Sequence, residues 1–200
     1  MTKDDLLKHI AETAYNIGFG AKKHFATYDI VAKAPGLISF ISFVIGIYAL
    51  ICENLNTKSI SATLLVLGVV GLYVSFYDSK KETYEQNGVK LTDLFNELKR
   101  LNGSVKSVSV PTQDHLDKLT EIERKYTQIS SSHQILFSNW YAHYKFFWEQ
   151  QIEWVNEQKK FSFWRDRVPL SLTLFVFITS VLLVLYFSKV NLVFCNWVLT

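Results

Sequence analysis

The chain has 200 residues, a formal net charge of +3 and a hydrophobic content of 49%. So small a positive charge does not indicate nucleic-acid binding, and the long apolar stretches leave no room for a large catalytic domain. The eight glycines form no phosphate-binding motif, and the five histidines and two cysteines show no metal-ligand spacing. We therefore predict no enzyme, no catalytic residue, no metal and no cofactor.

The N-terminal arm, residues 1–33, is predicted to form a cytoplasmic amphipathic helix. The small residues along its apolar stripe favour packing on a partner helix, and a helix lying on the membrane surface is the alternative. We expect the histidine on this stripe to be packed and neutral rather than a pH-sensitive site. The stripe follows steps of three and four residues and consists of Leu7, Ile10, Ala14, Ile17, Ala21, His24 and Tyr28.

Three stretches without any charged residue or histidine cover residues 37–52, 60–77 and 168–187. Their lengths of 16, 18 and 20 residues approach the roughly 20 apolar residues that cross a bilayer. Core helices of a soluble protein, the alternative, would normally show polar faces. We therefore predict an all-α membrane protein with a two-span hairpin over residues 34–77 and a third transmembrane helix over residues 168–188.

The hairpin carries small and polar residues with two candidate roles. Glycines let helices approach closely, so the candidate helix-packing positions are Gly46, Gly68 and Gly71. Hydroxyl side chains could line a polar pore, and hydrogen bonds to the backbone within the membrane explain them equally well. These pore-lining candidates are Ser39, Ser42, Thr63 and Ser75.

The region 78–167 is predicted to be a cytoplasmic set of helices. A first helix covers about residues 79–101 and stops at Asn102-Gly103-Ser104, and a second begins at Thr112 or Asp114. A third, unusually aromatic helix covers residues 135–164. Its mixed aromatic and basic end can bind single-stranded nucleic acid, but the adjoining span favours the membrane interface. The predicted interfacial belt consists of Phe161, Phe163, Trp164, Arg165 and Arg167.

The distribution of lysine and arginine predicts the topology. Five precede the first span and fourteen lie in residues 78–167, whereas one lies in the 53–59 loop and one after residue 188. By the positive-inside rule, the N-terminus and residues 78–167 face the cytoplasm. The 189–200 tail is then external. Cys52 and Cys195 both fall on the outer side, where two free thiols or a disulfide fit the sequence.

Several runs of residues occur in an order that resembles a known family. They are Tyr28, Lys33, Phe76-Tyr77, Lys80-Lys81, the run YEQNGVKLTDL over residues 84–94, Tyr126, Ile129, Ser130-Ser131 and the helix through residues 140–145. Over about residues 5–150 the chain is similar to the SLATT family, the two-transmembrane effector domains associated with SMODS and SLOG proteins. A third span departs from the family's two-span pattern.

The resemblance implies a multi-pass protein of the bacterial inner membrane that acts in anti-phage conflict systems and abortive infection. Such an effector would form a homo-oligomer that makes a pore or disrupts the lipid bilayer. A cytoplasmic sensor protein or a nucleotide second messenger would trigger it, and we expect residues 91–150 to receive the trigger. The residues alone leave a second function open, a non-conducting membrane scaffold that recruits a cytoplasmic partner.

Overall fold

The computed structural model describes residues 1–52, 57–129 and 133–187, and this part of the chain contains helices and no strand. The all-helical prediction is therefore confirmed. The chain divides into two units, a body over residues 1–160 and a second unit over residues 161–200. Within the body we call residues 34–77 the apolar half, and residues 1–33 and 78–160 the polar half.

Helix α1 runs without a break from Lys3 to Ile51. It starts in a capping box, in which the Asp5 backbone N–H donates to the Thr2 hydroxyl and the Thr2 N–H donates to the Asp5 carboxylate. The predicted N-terminal arm and first span are thus one helix of 49 residues, about 73 Å long. Pro35 lies inside it and removes a single backbone donor, which does not end the helix.

Helices α2 (Lys58–Ser75) and α3 (Lys81–Ser107) follow each other through a 3₁₀ turn and run antiparallel to α1. At one end of this long pair, the Lys3 ammonium donates to the carbonyls of Lys106 and Val108 at 2.9 and 2.7 Å. The predicted stop at Asn102-Gly103-Ser104 is wrong. Helix α3 continues for one more turn because Asn102 and Val105 are buried in the polar half.

The rest of the polar half is made of three shorter helices. Helix α4 (Gln113–Ile129) packs on α3, whereas α5 (Ser138–Tyr144) and α6 (Glu153–Lys159) pack on α1. The predicted single helix over residues 135–164 is wrong. It is divided by a π-helical segment over Lys145–Glu149, an extended Gln150 and a left-handed Lys160. Phe146 and Trp154, on either side of the extended Gln150, are both buried in the core.

The core of the polar half surrounds α1. One side of this helix meets α3 and another meets α5 and α6, so it is buried more widely than a single stripe. Each large apolar side chain removed from water contributes roughly 1.5–3 kcal/mol. The buried residues of α1 are Leu6, Leu7, Ile10, Ala11, Thr13, Ala14, Ile17, Gly18, Ala21, His24, Ala26, Thr27 and Val31, and Tyr28 of the predicted stripe is half-buried.

The second unit is described over residues 161–187. A π-helical segment over Phe163–Arg167 is followed by helix α7, Leu170–Phe187, which has no charged residue. The third transmembrane helix stays a prediction. The side chain of Trp164, the residue Cys195 and the predicted external tail lie outside the described part of the chain.

Candidate functional site

The apolar half of the body exposes the long hydrophobic side chains of two helices. Leu37, Phe40 and Leu50 on α1 are 60%, 66% and 88% exposed, and Leu65 on α2 is 74% exposed. Two helical stretches, Lys3–Ile51 (α1) and Lys58–Ser107 (α2, the 3₁₀ turn and α3), each contain a segment long and apolar enough to cross a membrane. Contiguous apolar surface of this size is not left to water, and it matches the hydrocarbon core of a bilayer.

The three glycines predicted to pack helices face open space within the described part of the body. A Cβ atom placed on Gly46, Gly68 or Gly71 meets no other atom within 4 Å. The described residues of the body therefore supply no close contact at these positions. Their role in helix packing stays a prediction.

The predicted pore-lining hydroxyls lie on α1 and α2, and their role in a pore stays a prediction. The Thr63 hydroxyl donates to the Ser59 carbonyl at 2.9 Å, and the Ser75 hydroxyl donates to the Leu72 carbonyl at 2.7 Å. Ser39 is exposed and Ser42 is half-buried. Backbone bonding thus satisfies two of the four. Thr63 also lines a groove of about 320 Å³ between α1 and α2, whose other walls are Val44, Ile45, Tyr48 and Ile60.

A charge network ties α1 to the π-helical segment just beyond the apolar half. The Asp29 carboxylate accepts from the Lys33 ammonium at 2.8 Å and pairs with the Lys145 ammonium at 2.7 Å. The side chains of Asp29 and Lys145 are only 14% and 15% exposed. Lys145 also lies over the ring of Tyr141, 4.7 Å from its centroid. This network therefore fixes α5 and the π-helical segment to α1.

The network perturbs the titration of its own members. Burial alone would raise the pKa of the Asp29 carboxyl, but hydrogen bonds from Lys145 and Lys33 outweigh it and hold this pKa below its ordinary value. Burial would likewise lower the pKa of Lys145, and the bond to Asp29 raises it instead. Both groups are therefore charged at neutral pH. For Lys22, burial and the nearby Lys145 lower the pKa.

A comparison with known families decides what kind of protein this hairpin belongs to. Residues 1–176 match the model of a family described as SMODS and SLOG-associating 2TM effector domain 6. The chain belongs to this SLATT family. Searches of curated proteins and of solved structures each gave no match.

The family match and the geometry of the SLATT chain agree. The match spans the whole hairpin and ends inside α7, and the two long apolar helices of the body correspond to the two transmembrane helices in the family's description. The protein is therefore a membrane protein, and its family assigns it to the membrane effectors of conflict systems.

The region expected to receive a trigger contains a groove between α3 and α4 of the SLATT body. Its volume is about 390 Å³. Cationic and anionic side chains alternate along it, and Lys125 beside it lies 3.0 Å from Glu121 and 4.0 Å from Glu97. A lining with both charges favours neither an anionic nor a cationic ligand. The groove is lined by Glu97, Arg100, Leu101, Ser104, Lys118, Glu121 and Ile122.

The predicted interfacial belt lies in the second unit. Phe163 is 46% exposed and Phe161 is half-buried. The Arg165 guanidinium pairs with Asp166, with Nε 3.1 Å from Oδ1, and Arg167 is half-buried. The aromatic and basic side chains thus share one short segment before α7, and their place at a membrane interface stays a prediction.

Sequence reasoning missed the glycines at which the helices of the polar half approach most closely. A Cβ atom on Gly18 would lie 2.8 Å from the Phe95 ring and 2.9 Å from the Phe146 ring. A Cβ atom on Gly88 would lie 2.9 Å from the Phe25 ring. Gly18 sits beside the predicted stripe, one residue after Ile17, so the position was recognisable as core-facing. Its requirement for glycine was not, because the two rings come from distant helices.

His24 makes the stability of the polar half sensitive to acid. Its side chain is packed, as expected, beside the Tyr84 ring, and burial together with the nearby Lys23 lowers its pKa to about 4. In the unfolded chain the His24 imidazole is protonated near pH 6.5, whereas in the folded chain it stays neutral down to about pH 4. Stability should fall as the pH drops from 6.5 to 4, by up to about 3 kcal/mol. His24→Gln should remove this part of the loss in thermal melts, and a loss unchanged from wild type would contradict it.

A matched variant controls for the loss of a histidine elsewhere on the same helix. His9 is on the same helix, half exposed, with its Nε2 2.9 Å from the Glu123 carboxylate. His9→Gln should leave most of the acid-induced loss in place, because the His9 side chain lies outside the packed core.

Proposed function

We propose that this SLATT protein is a multi-pass effector of the bacterial inner membrane, with its N-terminus and polar half in the cytoplasm and its C-terminus outside. It forms a homo-oligomer that opens a pore or disrupts the bilayer and so arrests the infected cell as an antiviral defence. A cytoplasmic sensor protein or a nucleotide second messenger triggers the change. The trigger acts only if it binds the open arrangement more tightly than the resting one.

The observation that carries this proposal is the uncovered state of the membrane glycines. Two helices enclose no water-filled path, so conduction requires several hairpins. Gly46, Gly68 and Gly71 offer positions where a neighbouring helix can approach the backbone, and no described residue of the body fills them. Ser39 and Ser42 supply hydroxyls near the same apolar surface. An oligomer of hairpins would use both features.

The proposal is tested by membrane depolarisation in cells that express the protein, read with a potential-sensitive dye. Wild type should depolarise the membrane, and the double variant Gly68→Leu/Gly71→Leu should not, because leucine blocks close helix approach. Ala62→Leu is the matched control, since Ala62 is a small exposed residue of the same helix. It should depolarise like wild type. A double variant as active as wild type would show that close packing at these glycines is not needed.

The alternative is a non-conducting scaffold that recruits a cytoplasmic partner through the polar half. Exposed apolar residues there support it, since Val89 is 49% and Val110 is 75% exposed. Charges at Leu94 and Leu98 would not test it, because these side chains are 5% and 0% exposed and the polar half would unfold. Val89→Glu and Val110→Glu test it without loss of folding. If the protein is a scaffold, Val89→Glu and Val110→Glu should abolish activity, whereas Ser39→Ala/Ser42→Ala should leave it unchanged. A scaffold should also cause no membrane depolarisation, whichever trigger is applied.

A further inference from the structure

The segment that enters α5 reaches the level of the membrane helices. Ile135 is 3% exposed and packs in one cluster with Val31 and Val74. The backbone N–H of Leu136 donates to the Tyr73 hydroxyl at 3.3 Å. Tyr73 and Val74 belong to the last turn of α2, inside the predicted span. The chain from Ile135 onward therefore starts at the boundary of the apolar half and leads away from it along α1.

Large apolar side chains point outward at this start of α5. Leu136 is 62% exposed and Phe137 is 51% exposed, although both are next to the buried Ile135. The Phe137 ring packs against the Trp140 ring, with centroids 4.9 Å apart. Phe76, which directly follows α2, is 80% exposed and lines a groove with Tyr73 and His133. The exposed apolar surface of α2 thus continues onto the polar half through these side chains.

The backbone at Phe137 is held in an unusual conformation. Its φ angle is 67°, in the left-handed region that glycine or asparagine normally occupies. A phenylalanine there is strained, and strain of this kind is often kept at positions with a function. The left-handed turn starts α5, and it leaves the Phe137 side chain half exposed beside Trp140. A glycine would make the same turn without placing a ring at the surface.

We propose that Leu136, Phe137 and Trp140 form an interfacial wedge that inserts into the headgroup layer of the bilayer on the side of the polar half. The partner is the phospholipid surface itself, because the wedge is continuous with the lipid-facing surface of α2. Tryptophan rings, such as that of Trp140, prefer this depth of a bilayer. Lys33, whose side chain is 72% exposed, and the exposed Lys80 flank the same level, and they suit anionic headgroups. The wedge does not depend on whether the protein conducts.

The wedge is tested by measuring which residues contact lipid in the full-length protein. In a Cys52→Ser/Cys195→Ser background, Leu136→Cys carries an environment-sensitive fluorophore in vesicles that contain spin-labelled phospholipid. Phe40→Cys in the span and Thr120→Cys on α4 are the positive and negative controls, since both side chains are exposed in the single chain. Quenching at position 136 should be at least about fivefold greater than at position 120 and within about twofold of position 40.

Two other results would overturn the wedge. Quenching at position 136 no greater than at position 120, with emission typical of water, would place the segment in solvent. Blue-shifted emission without quenching by lipid would mean that protein, such as a second copy of the chain, covers it. As a second variant, Phe137→Gly relieves the left-handed strain and keeps the turn. It should reduce quenching at position 136 by about half, and unchanged quenching would remove Phe137 from the wedge.

Discussion

Replacing Gly18 by alanine is expected to destabilise the polar half by about 1–3 kcal/mol, although alanine is the better helix former. The new methyl group would lie 2.8 Å from the Phe95 ring and 2.9 Å from the Phe146 ring. Phe95 is 3% exposed and Phe146 is fully buried, so neither ring can move without disturbing the core. Thermal unfolding in detergent micelles, followed by near-ultraviolet circular dichroism, should show a Tm lowered by about 2–10 °C.

Alanine substitutions at three other glycines should change stability by amounts that depend on the space around each one. Gly103→Ala adds a methyl group in open space on α3 and should raise stability by about 0.5–1 kcal/mol. Gly20→Ala meets its nearest atom, on Leu91, at an ordinary 3.7 Å and should likewise raise stability by about 0.5–1 kcal/mol. Gly88→Ala should fall between Gly18→Ala and Gly20→Ala, because the half-buried Phe25 ring can swing toward solvent. Equal Tm values for Gly18→Ala and Gly103→Ala would contradict the close approach at Gly18.

The sequence was sufficient to predict the helical class and the two-span hairpin. Uncharged stretches of 16 and 18 residues separated by seven residues admit few other folds. It was not sufficient to predict that each span continues into a helix of the polar half. Pro35 marks a candidate helix start in the sequence, but the helix runs through it. Asn102-Gly103 likewise resembles a helix end, and burial of Asn102 and Val105 overrides that local preference.

The candidate site was predictable only where its residues are neighbours in sequence. The glycines and hydroxyls of the membrane helices were identified by residue type, but the sequence does not identify the residues that pack against them. The link between Asp29 and Lys145 joins residues 116 positions apart, and no periodicity pairs them. Helical spacing would instead pair Lys145 with Glu149, four residues later, whose carboxylate lies at 4.0 Å. Two phenylalanines from different helices likewise decide the need for glycine at position 18.

Removing the carboxylate of Asp29 should be the second large effect. Asp29→Asn leaves the Lys145 ammonium, 15% exposed, without its closest partner, and we expect a loss of about 2–3 kcal/mol. Lys145→Met should lose less, because Asp29 keeps its bond to Lys33. The double variant Asp29→Asn/Lys145→Met should be more stable than Asp29→Asn alone, with a coupling of about 1–2 kcal/mol. Additive losses in urea unfolding would show that the two groups do not interact.

An exposed pair and the pH dependence complete the test of this network. Asp114→Asn breaks the surface pair with Lys118, where both side chains are more than half exposed, and should change stability by less than about 0.5 kcal/mol.

The bonds to Asp29 hold its pKa below the ordinary value. Its contribution is therefore complete above about pH 4 and is lost as the pH falls through the lower, folded-state pKa. The stability difference between wild type and Asp29→Asn should accordingly stay constant from pH 7 to about pH 5 and shrink below about pH 4. A difference that grows in acid would mean that Asp29 is protonated in the folded chain, and the network would then not be an ion pair.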